Sequence, residues 1–411
     1  MRPRHASLTT WILVSLVVGI AAGYLFPQFS VRLEPISTIF LRLIKVIIGP
    51  LLFGTLVSSI VSAGELRTMG RIALKALIYF EIATSLALVI ALAAVNLVQP
   101  GAGMMLRAPS GNIPETAKAL SLSQVVEHAF PSSIFESLAT NDVLQMVVFF
   151  FLFGAACSAI GAKAQPVVDF AGSVAEVMFR FTKYVMYLAP LGVGAAIAVT
   201  VGQNGIAVLG NLGKLVATLY AAELLFVFLV LGSALTIARV PLVNFWRAAR
   251  QPFLIAFSTA SSEAALPLAL ENMERFGVPK HIVGFVLPTG YSFNLDGSTL
   301  YLGLTSVFVA QAAGVHMQLS TQLLMMLTLL LTSKGVAAVP RASLVILAGT
   351  LQTFNLPQEG VALLLGVDAL MDMCRTSVNL LGNCVASAVV ARWEGFDLIP
   401  RGGEVEVLAK F

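Results

Sequence analysis

Long apolar runs alternate with short polar connections through the first 240 residues. The runs lie at Leu8 to Phe26 and at about 37–63, 70–98, 134–161, 168–202 and 207–237. Each has the length of a helix that crosses a bilayer, roughly 20 residues, and some leave room for tilt or a break. The pattern therefore predicts six spanning helices in this part of the chain. Met1-Arg-Pro-Arg-His ahead of the first run reads as a cytoplasmic flank rather than a cleaved leader. Arg67, Arg71 and Lys75, and then Arg239, Arg247 and Arg250, fall on connections that would share that side, as positive-inside placement requires. The loop from Gln99 to about Ser133, rich in Pro, Gly and Ser, would lie outside.

Beyond residue 240 the runs shorten, and small polar residues interrupt them at membrane depth. The segment at about 244–275 contains Ser258-Thr-Ala-Ser-Ser-Glu263 and then Pro267. The segment at about 317–354 contains Thr332-Ser-Lys-Gly335 and Val339-Pro340-Arg341. Non-helical backbone at that depth must be satisfied by protein or a water-filled cavity, so both segments are predicted to be re-entrant helical hairpins. Between them, Pro288, Gly290, Asn294, Asp296 and Gly297 predict an unwound helix, whose free carbonyls and half-helix ends suit a binding cavity.

The last apolar segment, about 361–390, carries an unexpected polar stripe. At 100° per residue, Asp368, Asp372, Arg375, Thr376, Asn379 and Asn383 project within a sector of roughly 100°. An ionisable side chain at the bilayer centre costs about 2.5–3.5 kcal/mol on insertion scales, so the stripe needs internal partners or a function. An ion-pair cluster that only fixes helix packing is the plain alternative. A planar guanidinium, however, holds a carboxylate bidentately, and a carboxylate one turn away suits an ammonium.

Composition agrees with this reading. The chain is 58% hydrophobic and 11% charged, with mean hydropathy +0.90, far from the 25% or so charged residues of soluble domains. The fold class is an all-α polytopic membrane protein. Cys157, Cys374 and Cys384 sit in apolar runs and suggest no disulfide framework. His5, His128, His281 and His316 lack metal-ligand spacing, and a dispersed net charge of +4 gives no nucleic-acid surface. No membrane-depth histidine is placed to serve Ser261 or Ser262 as a base, which disfavours an enzyme. An anion channel using Arg375 for selectivity remains a distant alternative.

Tyr291-Ser-Phe-Asn-Leu-Asp-Gly-Ser-Thr-Leu-Tyr301, the serine-rich 258–263 segment, Thr332-Ser-Lys-Gly335 before Val339-Pro340, and Asp-x-x-x-Asp-Met-x-Arg-Thr-x-x-Asn-x-x-Gly-Asn from Asp368 resemble the dicarboxylate/amino acid:cation symporter family, the glutamate transporter homologues. The resemblance covers essentially the whole chain. It implies eight transmembrane helices with two re-entrant hairpins, a homotrimer in a bacterial inner membrane, and an elevator mechanism. Residues 1–69 and 134–204 would form the scaffold; 70–133, with the third helix and an outer loop, and 205–411 would form the transport domain. The implied activity is uptake of glutamate or aspartate with Na+, H+ or both and no cofactor. A C4-dicarboxylate symporter is the alternative, since dicarboxylate members typically lack the carboxylate at Asp372.

The same resemblance assigns Arg375 to the substrate's side-chain carboxylate and Asp372 to its amino group. Asn379 and Thr376 would take the main carboxylate with Ser261, Ser262 and the second hairpin's tip at Val339 and Pro340. Sodium would be held by Asn294, Asp296, Thr84 and Ser85, by Gly290, Asn379 and Asn383, and by Ser292 with Ser333, Lys334 and Val336. Three departures alter expectations. Asn383 stands where aspartate is common, which weakens one cation site. Glu81 replaces a tyrosine of sodium-only members and becomes a proton-carrier candidate near Asp296. Ala338, Arg341 and Ser343 replace frequent glycines and predict a stiffer gate.

Overall fold

The computed structural model describes residues 8–65, 70–104, 127, 130–140, 142–333 and 342–398, and among these every regular element is helical. The first half contains α1 (Leu8–Leu25), the short α2 (Pro27–Val31), α3 (Glu34–Glu65), α4 (Arg71–Val98), α5 (Ile134–Thr140), α6 (Val143–Ile160), α7 (Gln165–Tyr187), α8 (Ala189–Asn204) and α9 (Val208–Ile237). Arg71–Val98, Gln145–Phe181 and Val208–Ile237 are long and apolar enough to cross a membrane.

Two boundaries differ from the apolar runs. The 168–202 run is two helices, because the chain turns at Leu188 and restarts with Pro190 in the first turn of α8, where its missing N–H costs nothing. The 134–161 run divides at Asp142, whose side chain caps α6 by accepting from Gln145 N at 3.1 Å.

α1 packs on α8 at very short range. A Cβ on Gly19 would lie 2.4 Å from the Gly194 carbonyl oxygen, so glycine is required where the two backbones meet, as is usual for helix pairs in lipid. α3 packs on α6, α7 and α8, while α4 packs on α13 and α16 of the second half.

The second half contains α10 (Leu242–Thr259), α11 (Ser262–Phe276), α12 (Lys280–Phe293), α13 (Asp296–Ala312), α14 (Leu319–Thr332), α15 (Ala342–Thr353) and α16 (Glu359–Trp393). α10 and α11 cover the segment of the first expected hairpin; they are joined by a turn at Ala260, with φ of 48°, and tied by the Asn272 amide donating to Ala248 O at 2.9 Å. α14 and α15 are the arms expected of the second. Lys334, Val336, Ala338, Val339, Pro340 and Arg341 of its tip lie outside the described residues.

α16 is buried on all sides along most of its length, from Gly360 to Ala391, and packs against α10, α12 and α13. A helix apolar all round belongs inside a bundle, and its polar stripe then faces protein rather than lipid. α4 is bound to the same group. Gln311 donates to Val95 O at 3.0 Å, Asn96 donates to Gln322 Oε1 at 2.7 Å, and Arg71 and Lys75 clasp Glu394 at the end of α16.

Candidate functional site

The break between α12 and α13 is confined to Asn294 and Leu295. The predicted unwinding from Pro288 to Gly297 is thus shorter than expected. α12 runs through Pro288 and Gly290, because proline removes only the bond to the carbonyl four residues earlier, at the exposed Gly284. Asn294 N still donates to Gly290 O at 2.8 Å, and α13 begins at the fully buried Asp296.

Against this break, the α16 stripe separates into two clusters. The first surrounds Arg375, which is 1% exposed. Its Nη1 donates to Asp368 Oδ1 at 3.0 Å and its Nε to Asp372 Oδ1 at 2.9 Å. Its Nη2 lies 2.9 Å from the same Asp372 oxygen but makes no hydrogen bond, so one N–H edge stays uncommitted. The guanidinium rests over the Tyr301 ring, 4.3 Å from the centroid, a cation–π contact worth about 2 kcal/mol when desolvated. Thr376 Oγ1 donates to Asp372 Oδ1 at 3.2 Å. The cluster is a guanidinium flanked by two carboxylates.

The second cluster is made of amides. Asn379 accepts from Ser298 N at 3.1 Å and donates to Ser298 Oγ at 2.9 Å, pinning α16 to the first turn of α13. One turn on, about 6 Å along the axis, Asn383 Oδ1 accepts from Asn294 Nδ2 at 2.9 Å. Asn294 Oδ1 and Asn383 Nδ2 are buried without partners. Thr84 Oγ1 reaches in from α4 to donate to Asp296 Oδ1 at 3.3 Å. These are hard oxygen donors of the kind that suit sodium, and the open Asn294 oxygen beside Asp296 is their best-placed unused acceptor.

Glycines allow this crowding. A Cβ at Gly297 would lie 2.5 Å from Arg375 O, one at Gly290 2.3 Å from Asn383 Oδ1, and one at Gly382 2.6 Å from Asp296 Oδ2.

The remaining expected residues are more scattered. Ser261 caps α11 by accepting from Ala264 N at 3.3 Å, and Ser262 O accepts from the Tyr291 hydroxyl at 3.0 Å, which joins the start of α11 to α12. Ser292 is half-buried and Ser333 is buried at the end of α14. Ser85 and Glu81 are exposed on α4, flanking the buried Thr84. Ser343 is buried near the start of α15.

Three contributors lack a role in the sequence reading: Tyr301, Ser298 and Gly382. Tyr301 and Ser298 stand inside the 291–301 motif, so their spacing after Asp296 was a usable signal. The motif alone does not say that they face α16.

A model of the sodium:dicarboxylate symporter family matches residues 8–393. The chain belongs to that family. It is 42% identical over 402 residues to the proton/sodium-glutamate symport protein of Bacillus caldotenax, covering 95% of this chain and 96% of that one. It is also 42% identical over 388 residues to the proton/glutamate-aspartate symporter of Bacillus subtilis (93% and 94% covered). The C4-dicarboxylate transport protein of Anaeromyxobacter sp. strain K matches at 42% over 402 residues (96% and 91% covered). This symporter is a multi-pass integral membrane protein and not an enzyme.

Proposed function

We propose that this symporter takes up an acidic amino acid, glutamate or aspartate, together with sodium, protons or both. The observation that carries the proposal is the buried Arg375 with Asp372 beside it. An acidic amino acid has a side-chain carboxylate for the open edge of Arg375 and an ammonium for Asp372. On binding, the Arg375–Asp372 pair is exchanged for two substrate ion pairs, while Asp368 continues to hold the arginine in place. Thr376 and Asn379, with Ser261, Ser262, Val339 and Pro340 from the hairpin tips, take the main carboxylate. Asn294, Asp296, Thr84, Ser85, Asn379 and Asn383, the backbone at Gly290, and Ser292 with Ser333, Lys334 and Val336 hold sodium.

In this reading the chain crosses the inner membrane of a bacterium eight times, carries two re-entrant hairpins and assembles as a homotrimer. Residues 1–69 and 134–204 are the fixed scaffold. Residues 70–133 and 205–411 move as the elevator, supported by the hydrogen bonds and ion pairs that tie α4 to α13, α14 and α16.

C4-dicarboxylate transport is the second reading, favoured by a relative of that name at equal identity. Succinate has no ammonium and leaves Asp372 as an unpaired buried charge once Arg375 turns to the substrate, which is unfavourable. Uptake into proteoliposomes under separately imposed sodium and proton gradients, with glutamate, aspartate and succinate, decides between them. Asp372→Ala is expected to reduce amino-acid uptake by orders of magnitude more than succinate uptake. Succinate transport by the intact protein equal to that of the amino acids would overturn the proposal.

A further inference from the structure

Glu223 lies mid-way along α9, 0% exposed, and neither of its carboxylate oxygens has a nitrogen or oxygen donor. The polar side chain facing it is the Cys374 thiol, a weak donor, adjacent in sequence to Arg375. Arg375 and Asp372 lie near enough for their charges to act on Glu223. From its own helix comes Tyr220, whose hydroxyl donates to Leu370 O at 2.8 Å and fastens α9 to the site helix. Among the other helices packed on α9, α8 carries no ionisable residue. α13 carries Asp296, which accepts from Thr84, and Tyr301, which it turns to Arg375; the ionisable residues of α4 are Arg71, Lys75, Tyr79 and Glu81, and those of α10 are Arg247 and Arg250. Glu223 is therefore a carboxyl enclosed against the back of the substrate site.

We propose that Glu223 is the proton-binding group of the transport cycle, and that it must be in the neutral acid form for the anionic substrate to bind. The argument is one of charge, and it rests on the anionic substrate proposed above. Asp368, Asp372 and Arg375 together carry one net negative charge. A glutamate or aspartate brings a second. An ionised Glu223 adds a third, and at 0% exposure a carboxylate without strong donors is poorly tolerated. One proton from solution binding to the Glu223 carboxylate removes that charge, and the same proton leaves after the substrate has dissociated. No bond other than O–H is made or broken. Glu81 fits this role less well, because it is exposed on α4 rather than enclosed with the substrate residues.

The test measures binding of glutamate, aspartate and succinate to the purified full-length protein across acid to alkaline pH, with proton uptake followed in weakly buffered solution. In the wild type, affinity at alkaline pH is expected to weaken about tenfold per pH unit, with protons taken up on binding. Glu223→Gln is expected to keep the acid-pH affinity at every pH, take up no proton, and transport without response to a proton gradient. Glu81→Gln is expected to retain the proton uptake and the pH dependence of binding, and loss of both in that variant would assign the proton to Glu81 and overturn the proposal. Glu223→Asp gives an independent check: it displaces the midpoint of the pH dependence if this residue titrates and leaves it in place if another does. Absence of proton uptake in the wild type, or undiminished pH dependence in Glu223→Gln, overturns the proposal. A wild type that prefers succinate overturns the amino-acid reading instead, and because succinate is also anionic the Glu223 comparison is then made with it.

Discussion

Arg375→Cys would leave Asp368 and Asp372, both buried, without the cation they share. Removing one partner of a buried ion pair costs about 3–5 kcal/mol, so lower thermal stability is expected. A compensating route exists for one carboxylate, since the ammonium of a neutral amino acid can pair with Asp372. The variant is thus expected to lose glutamate and aspartate uptake while admitting a neutral amino acid, as competition assays with serine or alanine would show. Unchanged glutamate affinity would refute the carboxylate clamp. At this scale much was legible in the sequence: the cost of charge in an apolar run singles out Asp368, Asp372 and Arg375 before any fold is known. The motif marked Tyr301 but not its role, because an aromatic residue inside an apolar helix carries no mark that distinguishes a cation–π partner from ordinary packing. Glu223 is a charge inside an apolar run, but its neighbour Cys374 lies 151 residues away in sequence, and only folding joins them.

Helices α12, α13 and α16 meet through glycines, and two of these make opposite predictions. In Gly297→Ala the new methyl meets Arg375 backbone, 2.5 Å from its oxygen and 2.9 Å from its Cα, so α13 and α16 must separate. Overpacking of this kind costs about 1–3 kcal/mol, and loss of both stability and uptake is expected. In Gly290→Ala the methyl meets the end of the Asn383 side chain, at 2.3 Å from Oδ1, and a side chain can rotate away. That variant is expected to fold with nearly wild-type thermal stability while needing several-fold more sodium for half-maximal substrate binding. Equal stability losses in the two variants would show that the Asn383 amide is fixed rather than adjustable. Local pattern gave the existence of the broken helix but overestimated its length. Pro288 and Gly290 are breakers in isolation, yet a helix can pass through both when the lost bond falls at an exposed turn and the missing Cβ makes room for a partner. The turn between α10 and α11 was legible because small polar residues at membrane depth demand a break whose backbone groups are satisfied within the protein, although Pro267, also read as a breaker, lies inside α11.

Across the whole molecule, apolar run length identified the bundle, although it did not reveal the turn at Leu188, since Leu188-Ala-Pro-Leu191 is as apolar as a continuous helix. Nor did it show that the end of α16 is fastened to the start of α4, a contact spanning 323 residues. There Glu394 accepts from Arg71 at 2.6 Å and pairs with Lys75 at 2.7 Å, while Lys75 also donates to Trp393 O. These hydrogen bonds hold the Glu394 carboxyl at about 2, down from the ordinary 4.5. A carboxyl lowered by folding contributes stability that is present in full above its unfolded value, near 4.5, and that disappears as pH falls toward 2. Thermal unfolding of the wild type and Glu394→Gln should therefore differ by a constant amount from neutral pH down to about 4.5, with the variant melting lower. The two curves should then converge at more acid pH as the wild type loses its clasp. If α4 and α16 move as one body, the variant should also transport more slowly at neutral pH with an unchanged substrate affinity, because the clasp joins helices rather than touching the ligand. A variant with weakened substrate affinity and an unchanged melting temperature would place Glu394 in the binding machinery and contradict its role as a fastening between helices.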